Sequence, residues 1–323
     1  MISVPKDRVH PVIRGLGGIS AQVIELSLHP SGEGKHLITM QLRYPRFIHS
    51  EFMTHRVFSR NASSSRAIPV NKMLEQVRNE PAMPIHWGKN QPGMQAFEEW
   101  SECVELEEMV EFDCPGDSPL FVSQQVPVTI QLAWKRAANE AANIAEAMNK
   151  AGYHKQVVNR ILEPFQFISV IVTATEWDNF FELRDHPDAQ PEIRELARVM
   201  KQAIDQSRPT LLDYGQWHLP YVSQAERAIY NVDSCLKLST ARCARVSYLN
   251  HDGTTPDPEK DFELFDRLVG STPIHASPIE HQATPDRFDC PDAPADWANK
   301  KAWGNFTTWV QHRKLFEAGR YTE

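Results

Sequence analysis

The segment from Val128 to Lys150 restricts the fold more than any other part of the chain. It is alanine-rich, follows Pro127 and stops at Gly152, so body and C-cap read as one long helix. Around it lie segments of a different period. Ile19 to Leu28 and His36 to Tyr44 read as strands joined by the turn Pro30-Ser31-Gly32-Glu33-Gly34. In the second strand Ile38, Met40 and Leu42 alternate with Thr39, Gln41 and Arg43, a half-buried pattern. Phe167 to Thr175 is β-branched and reads as a third strand. A helix is expected over about 46–58, re-entering a strand at Ala67-Ile68-Pro69-Val70. Lys155 to Leu162 is a short helix ending before Pro164. Pro191 to Gln206 is amphipathic, with Ile193, Leu196, Ala197, Met200 and Ile204 at helical spacing. Ser234 to Ser247 reads as a helix capped by Ser234. Asp257-Pro258 opens another, with Phe262, Phe265 and Leu268 inward and Gly270 at its end. Helices interspersed with antiparallel-looking strands argue for an α+β protein, and no internal repeat is apparent.

Composition narrows the function classes. With 323 residues, 41% hydrophobic and 24% charged, the chain has the make-up of a globular protein with a substantial core. We expect a single catalytic domain over 1–323, with an acidic insertion at about 75–121 and one helix near 94–111. Mean hydropathy is −0.46, and no apolar run approaches the ~20 residues that span a bilayer. The first residues lack the apolar core of a signal peptide, so a cytoplasmic location is expected. The net charge of −8 argues against a nucleic-acid binder. Acid is concentrated at Glu98, Glu99, Glu102, Glu105, Glu107, Glu108, Glu111 and Asp113. Cys103, Cys114, Cys235, Cys243 and Cys290 form no C-x-x-C pair, and reduced thiols are expected. No metal site is expected, because Ala276-Ser277-Pro278-Ile279 does not set His275, Glu280 and His281 in a helical ligand frame.

Against this acidic background residues 52–66 stand out. They concentrate His55, Arg56, Arg60 and Arg66 with Ser59, Asn61, Ser63, Ser64 and Ser65. Arginine presents a planar fork that matches phosphate oxygens, and small residues let backbone N–H groups approach a ligand. A local positive run on an acidic protein suits a pocket for small anions. A solvated, charged helix end is the alternative reading.

The stretch resembles the signature of flavin-dependent thymidylate synthases: Arg-His-Arg, seven residues, Ser, then Arg two residues on. Here it stands as Thr54-His55-Arg56, Ser64 and Arg66, with Ser59 and Asn61 also at matching positions. Asn159-Arg160-Ile161-Leu162-Glu163-Pro164, then Asn179-Phe180-Phe181-Glu182-Leu183-Arg184, resembles the family's later segment. Ala244-Arg245-Val246-Ser247-Tyr248 and His275-Ala276-Ser277-Pro278-Ile279-Glu280-His281 resemble Ala-Arg-Val-Ser-Phe and His-x-Thr-Pro-x-Glu-His. In the family those two elements precede the arginine-rich motif; here they follow everything else, as in a circular permutation or rearrangement. Such rearrangements are tolerated where termini lie close together.

The resemblance implies a central, mostly antiparallel sheet flanked by helices, assembled as a homotetramer with shared sites. It implies FAD-dependent transfer of a one-carbon unit from methylenetetrahydrofolate to C5 of dUMP, giving dTMP, with NADPH as reductant. It also implies roles. His55 and Arg56 would contact the flavin, and Ser59 and Asn61 belong to the same cofactor site. Asn179 would hydrogen-bond the flavin, while Ser247, Ser277 and Glu280 would line the FAD site. His275 would sit by the isoalloxazine near the folate. Ser64, Ser65 and Arg66 would hold the nucleotide phosphate, with Arg160 as a second nucleotide-binding arginine. Arg184 would polarise the pyrimidine ring. The three matched segments are expected to meet in space.

The chain also departs from that pattern. Thr54 stands where the family has arginine, Glu51 where it has glutamine, Ala62 where it has glutamate and Ala67 where it has tyrosine. Thr173 and Thr175 stand where Asn and Arg often serve FAD. Glu51, assigned to the nucleotide, replaces an amide with an acceptor-only group, which suits a ring edge offering N–H. Two alternatives therefore stay open: methylation or hydroxymethylation of another pyrimidine deoxynucleotide such as dCMP, and a flavin- or nucleotide-binding protein without turnover.

Overall fold

The structure, a computed structural model, describes residues 10–112, 120–248, 257–270, 274–289 and 296–319. Cys114, Cys290 and Asp113 fall outside them. The chain forms two compact units, one of residues 1–67 with 167–323 and one of 68–166.

The first unit is built on a six-stranded sheet. It opens with β1 (Val12–Arg14), β2 (Ser20–Leu28) and β3 (Leu37–Pro45). A 3₁₀ turn at Arg46–Ile48 leads into a single turn of helix, α1 (His49–Phe52), and then β4 (Ser59–Ala62). The longer helix expected over about 46–58 is therefore cut short. Its second half turns back on itself because Arg60 collects the carbonyls of Phe52, Met53 and His55. The strand expected at 67–70 does not form either; Val70 already begins a helix.

The second unit contains α2 (Val70–Asn79), the hairpin β5 (Val104–Phe112) and β6 (Leu120–Val128), α3 (Ile130–Lys150) and α4 (Lys155–Val158). The long helix forms with Thr129 as N-cap, its hydroxyl accepting from the Leu132 N–H, and Gly152 follows at φ +87°. Val70, Met73, Leu74 and Val77 pack against Ala138, Ala141, Ala142 and Ala145. The alanines let the two helices approach closely. The helix expected near 94–111 is instead β5, paired with β6 from Val104↔Val128 to Phe112↔Leu120. Val104, Leu106, Glu108 and Val110 are half-buried while Glu105, Glu107, Met109 and Glu111 are exposed, a period of two. The density of glutamate, a good helix former, hides that alternation.

The first unit resumes with β7 (Phe167–Ala174), α5 (Asp178–Arg184), α6 (Pro191–Asp205) and β8 (Thr210–Leu211). Then come α7 (Gln224–Ile229), α8 (Val232–Tyr248), α9 (Pro258–Val269), short strands β9 (Ala283–Pro285), β10 (Phe288–Asp289), β11 (Asp296–Trp297) and β12 (Trp309–Gln311), and α10 (His312–Glu317). The sheet order is β1-β2-β3-β7-β4, with β8 beside β2. All pairs are antiparallel except β2 with β8. α8 starts two residues earlier than expected, and its first turn is capped by the Asn231 side chain accepting from the Ser234 N–H.

The sheet is covered on both faces: in β3 the expected alternation holds at the partly exposed Gln41 and Arg43, but Thr39 is as inaccessible as Met40. One face is apolar. Met40, Leu42, Val170 and Val172 pack beneath Leu196, Val199 and Met200 of α6. On the other, Cys243 and Val246 of α8 cover Ile24 and Ile171, and buried polar side chains fill the remaining space. Ser27 Oγ meets His218 Nδ1 at 2.8 Å, and His218 Nε2 meets Thr39 Oγ1 at 2.7 Å. Thr39 Oγ1 meets Thr173 Oγ1 at 2.7 Å, which meets His281 Nδ1 at 2.8 Å. Buried polar groups persist only when bonded in this way. Arg242 of α8 binds Glu226 of α7 and Asp261 of α9, and Arg245 binds the second oxygen of Asp261. That network ties three helices together behind the polar face.

Candidate active site

The turn between α1 and β4 sets the first part of the site. Arg60 is committed to backbone carbonyls and closes the turn, so it is a structural residue. His55 is packed among aromatic rings, with centroids 5.9 Å from Phe58 and 4.8 Å from Phe180. Arg184, the last residue of α5, turns inward to meet it. Its Nε donates to His55 Nε2 at 3.0 Å and its Nη2 to Thr54 Oγ1 at 3.3 Å. Its Nη1 lies 3.8 Å from Glu51 Oε2. Its neighbour Asp185 pairs instead with Lys201. Burial, reinforced by the Arg184 and Arg60 charges, lowers the His55 imidazole to about 4. The ring is therefore neutral at physiological pH.

The second part is the serine turn after β4. Ser63 extends the strand pairing, its N–H donating to Ser169 O and its Oγ accepting from the Ser169 N–H. The Arg66 N–H then donates to Ser64 Oγ at 3.3 Å and the Ala67 N–H to Ser64 O at 2.9 Å. Ser65 is buried in this turn, and Arg66 is exposed, with no partner for its guanidinium among the described residues. Arg56 is likewise exposed and unpaired among them.

The third part was not legible in the sequence. Ser59 Oγ is bonded to Asn305 at 3.2 Å and to Gln311 Nε2 at 3.3 Å. Gln311 Nε2 also donates to Asn305 Oδ1 and to the Glu280 carbonyl, each at 3.0 Å. The half-buried Glu280 carboxylate pairs with Arg313. No local motif marks Asn305, Gln311 or Arg313; Gln311 lies 252 residues from Ser59 along the chain. Asn61, one alternation further along β4, is buried with its Nδ2 lacking a partner.

Within the first unit, then, segments 55–66, 167–184 and 277–281 come together. Ser59 meets the carbonyl side of Glu280 through Gln311, Thr173 meets His281, and Arg184 meets His55. Asn179 is exposed on the first turn of α5, and Ser277 and His275 are exposed. The His275 N–H is anchored to the Leu268 carbonyl at 3.0 Å. Ser247 lies on α8, with its side chain outside the described residues. Arg160 stands in the second unit, exposed, with Nη1 2.9 Å from Glu163 Oε1. Thr173 and Thr175 serve packing: Thr173 belongs to the buried chain of hydroxyls and imidazoles, and Thr175 Oγ1 accepts from the Thr307 N–H at 3.0 Å.

The donor set fits a phosphorylated, carbonyl-bearing cofactor or nucleotide. Arg56 and Arg66 are cationic forks that no described residue pairs, and Asn61 Nδ2 is a buried donor with no partner among the described residues. Among the described cysteines, two are buried within α8. Cys243 is buried and burial pushes its thiol far up; Cys235 is buried and raised for the same reason.

The fold is thus α+β, and the residues gathered at the α1–β4 turn form a cluster rich in hydrogen-bond donors. The profile of the family described as thymidylate synthase complementing protein matches residues 29–210, more than half of the chain. The chain belongs to that family and is a thymidylate synthase-like methyltransferase. A crystal structure of PolB, a UMP/dUMP methylase from Streptomyces cacaoi bound with 5-Br UMP, is similar at 17% identity. The similarity covers 61% of this chain and 93% of that one, with a TM-score of 0.41. No curated protein matches the chain.

Proposed function

We propose that the protein transfers a one-carbon unit to C5 of dUMP, giving dTMP, with FAD, methylenetetrahydrofolate and NADPH. The observation that carries this reading is the joining of Arg184, His55 and Glu51 beside a serine turn that ends in an unpaired arginine, in a chain of this family. Arg66, Ser64 and Ser65 hold the nucleotide phosphate, with Arg160 as a further nucleotide-binding residue. His55, Arg56, Ser59, Asn61, Asn179, Ser247, Ser277 and Glu280 form the flavin site, and His275 stands at its folate side. When bound, the flavin carries the one-carbon unit and the reducing equivalents, which is cofactor chemistry. The chain's own residues bind, orient and balance charge. Asn61 Nδ2 supplies a buried donor, and Arg184 places its charge where electrons build up on the ring. We further propose a cytoplasmic homotetramer with shared sites, each contact recurring by symmetry, and a permuted order of the family's elements.

A second reading follows from Glu51. A carboxylate beside Arg184 accepts but cannot donate, so a cytosine amino group suits it as well as uracil N3–H does. The product of that reading is a methylated or hydroxymethylated dCMP. Absorbance of the purified protein, followed by tritium release from C5 of dUMP and of dCMP, tests both. Flavin bands with release from dUMP support the first reading, and release from dCMP alone supports the second. A colourless protein that releases tritium from neither overturns both. Sedimentation showing an active monomer at micromolar concentration removes the shared-site tetramer.

A further inference from the structure

The contact between Arg184 and His55 fixes more than a position. A guanidinium has only donors. Arg184 Nε stands 3.0 Å from His55 Nε2, so that nitrogen must present its lone pair. In a neutral ring the proton then resides on Nδ1. Arg60 lends its charge to the same neighbourhood, and burial discourages a second proton. The ring is boxed by Phe58 and Phe180. His55 Nδ1 has no hydrogen-bond partner among the described residues.

Arg184 meanwhile commits two of its five N–H donors to this corner. Nε is used by His55, Nη2 by Thr54, and Nη1 faces the Glu51 carboxylate. Thr54 is held in turn by its hydroxyl donating to the Glu51 carbonyl at 2.7 Å. His55 Nδ1–H is thus a further donor in this corner, beside the Arg184 N–H groups that no described residue accepts.

We propose that Arg184, besides its place at the ring, locks His55 in its Nδ1–H tautomer, and that His55 Nδ1–H donates to a carbonyl oxygen or unprotonated ring nitrogen of the bound ligand. The ligand half rests on the proposed function above. Flavin and pyrimidine both offer such acceptors, and the test separates them.

The experiment uses the full chain labelled with ¹⁵N at histidine, with His55 assigned through His55→Gln. Long-range proton–nitrogen spectra near pH 7 are expected to show a protonated Nδ1 and a bare Nε2 for His55. In Arg184→Gln the Nε2–H form, ordinarily preferred in water, is expected to become the majority. Resonances of the buried His218 and His281 report whether the variant is folded, and Arg184→Lys provides a second, less disruptive variant. An Nε2–H or doubly protonated His55 in the unaltered protein overturns the lock. FAD and dUMP are then added separately, with binding followed by equilibrium dialysis. A shift of the Nδ1 resonance with one of them identifies the acceptor. If both bind and neither shifts it, the donor role is overturned while the proposed function stands. If neither binds, the proposed function and the donor role fall together, and the tautomer result stands alone.

Discussion

Arg66 carries its guanidinium outward from a turn whose backbone is already satisfied by Ser64. Removing the side chain therefore leaves no buried group unpaired. Arg66→Ala is expected to weaken dUMP binding by about tenfold to a hundredfold, the equivalent of ~1.5–3 kcal/mol for a hydrogen bond to a charged group. Thermal stability should stay unchanged. A phosphate is held alike in ground and transition states, so the loss should appear in KM and leave kcat nearly intact. Steady-state kinetics beside a melting curve check this; an unchanged KM would mean that the phosphate is held elsewhere. Arg184 belongs to the opposite class. Replacing it releases His55, and kcat should fall with it. Thr173 and Thr175 show that a departure from a family pattern can have a packing role, since both bond to side chains or backbone distant in the sequence.

Among the elements, α8 has the most demanding placement. It covers the polar face of the sheet while its Arg242 is 1% exposed. Burial alone would raise the Glu226 carboxyl, but bonds from Arg242 and Ser223 hold it at about 2. Removing one member of a buried ionic network strands the others without compensation. Arg242→Ala is expected to cost about 3–5 kcal/mol, read as a lowered urea midpoint. An unshifted midpoint would show that α7, α8 and α9 do not depend on this network. The chain of hydroxyls beneath α8 makes a smaller demand. Thr173→Val keeps the shape but leaves Thr39 and His281 each short of a partner, and should cost about 1–3 kcal/mol. The same denaturation measurement checks it, with the variant expected to retain its secondary structure by circular dichroism.

For the whole molecule, buried and half-buried histidines set the response to acid. Burial, helped by Arg46 and Arg60, lowers His49 to about 4; His55 also lies at about 4. Burial lowers His312 to about 4 and His281 to about 3. Each folded value lies below the unfolded 6.5, so the unfolded chain takes up protons first as pH falls. Stability is complete above about pH 6.5 and declines as pH drops toward the folded values. At about pH 5 each histidine contributes roughly 1–2 kcal/mol less than at neutrality. Melting temperatures measured from about pH 7 to pH 4.5 should fall steadily, and a flat profile would contradict the burial of these rings. Among the described residues no helix is long and apolar enough to cross a membrane.

Local periodicity determined much of the fold. Alanine density, Pro127 and Gly152 specify α3 without reference to anything else, and the spacing of Ile193, Leu196 and Met200 specifies α6. The same locality failed at residues 94–111, where glutamate content masked a strand's alternation, and at 53–58, where Arg60 folds the chain back. The site divides in the same way. His55, Arg56, Ser64 and Arg66 are legible because they share one short stretch. That Arg184 turns to His55, 129 residues away, follows only from α5 packing beside the α1–β4 turn. Asn305, Gln311 and Arg313 enter through the pairing of β12 with β9, which brings the end of the chain against β4. Sequence fixes an element when its own residues supply the periodicity and caps. It leaves open which elements share a surface, because that depends on burying faces contributed by segments hundreds of residues apart.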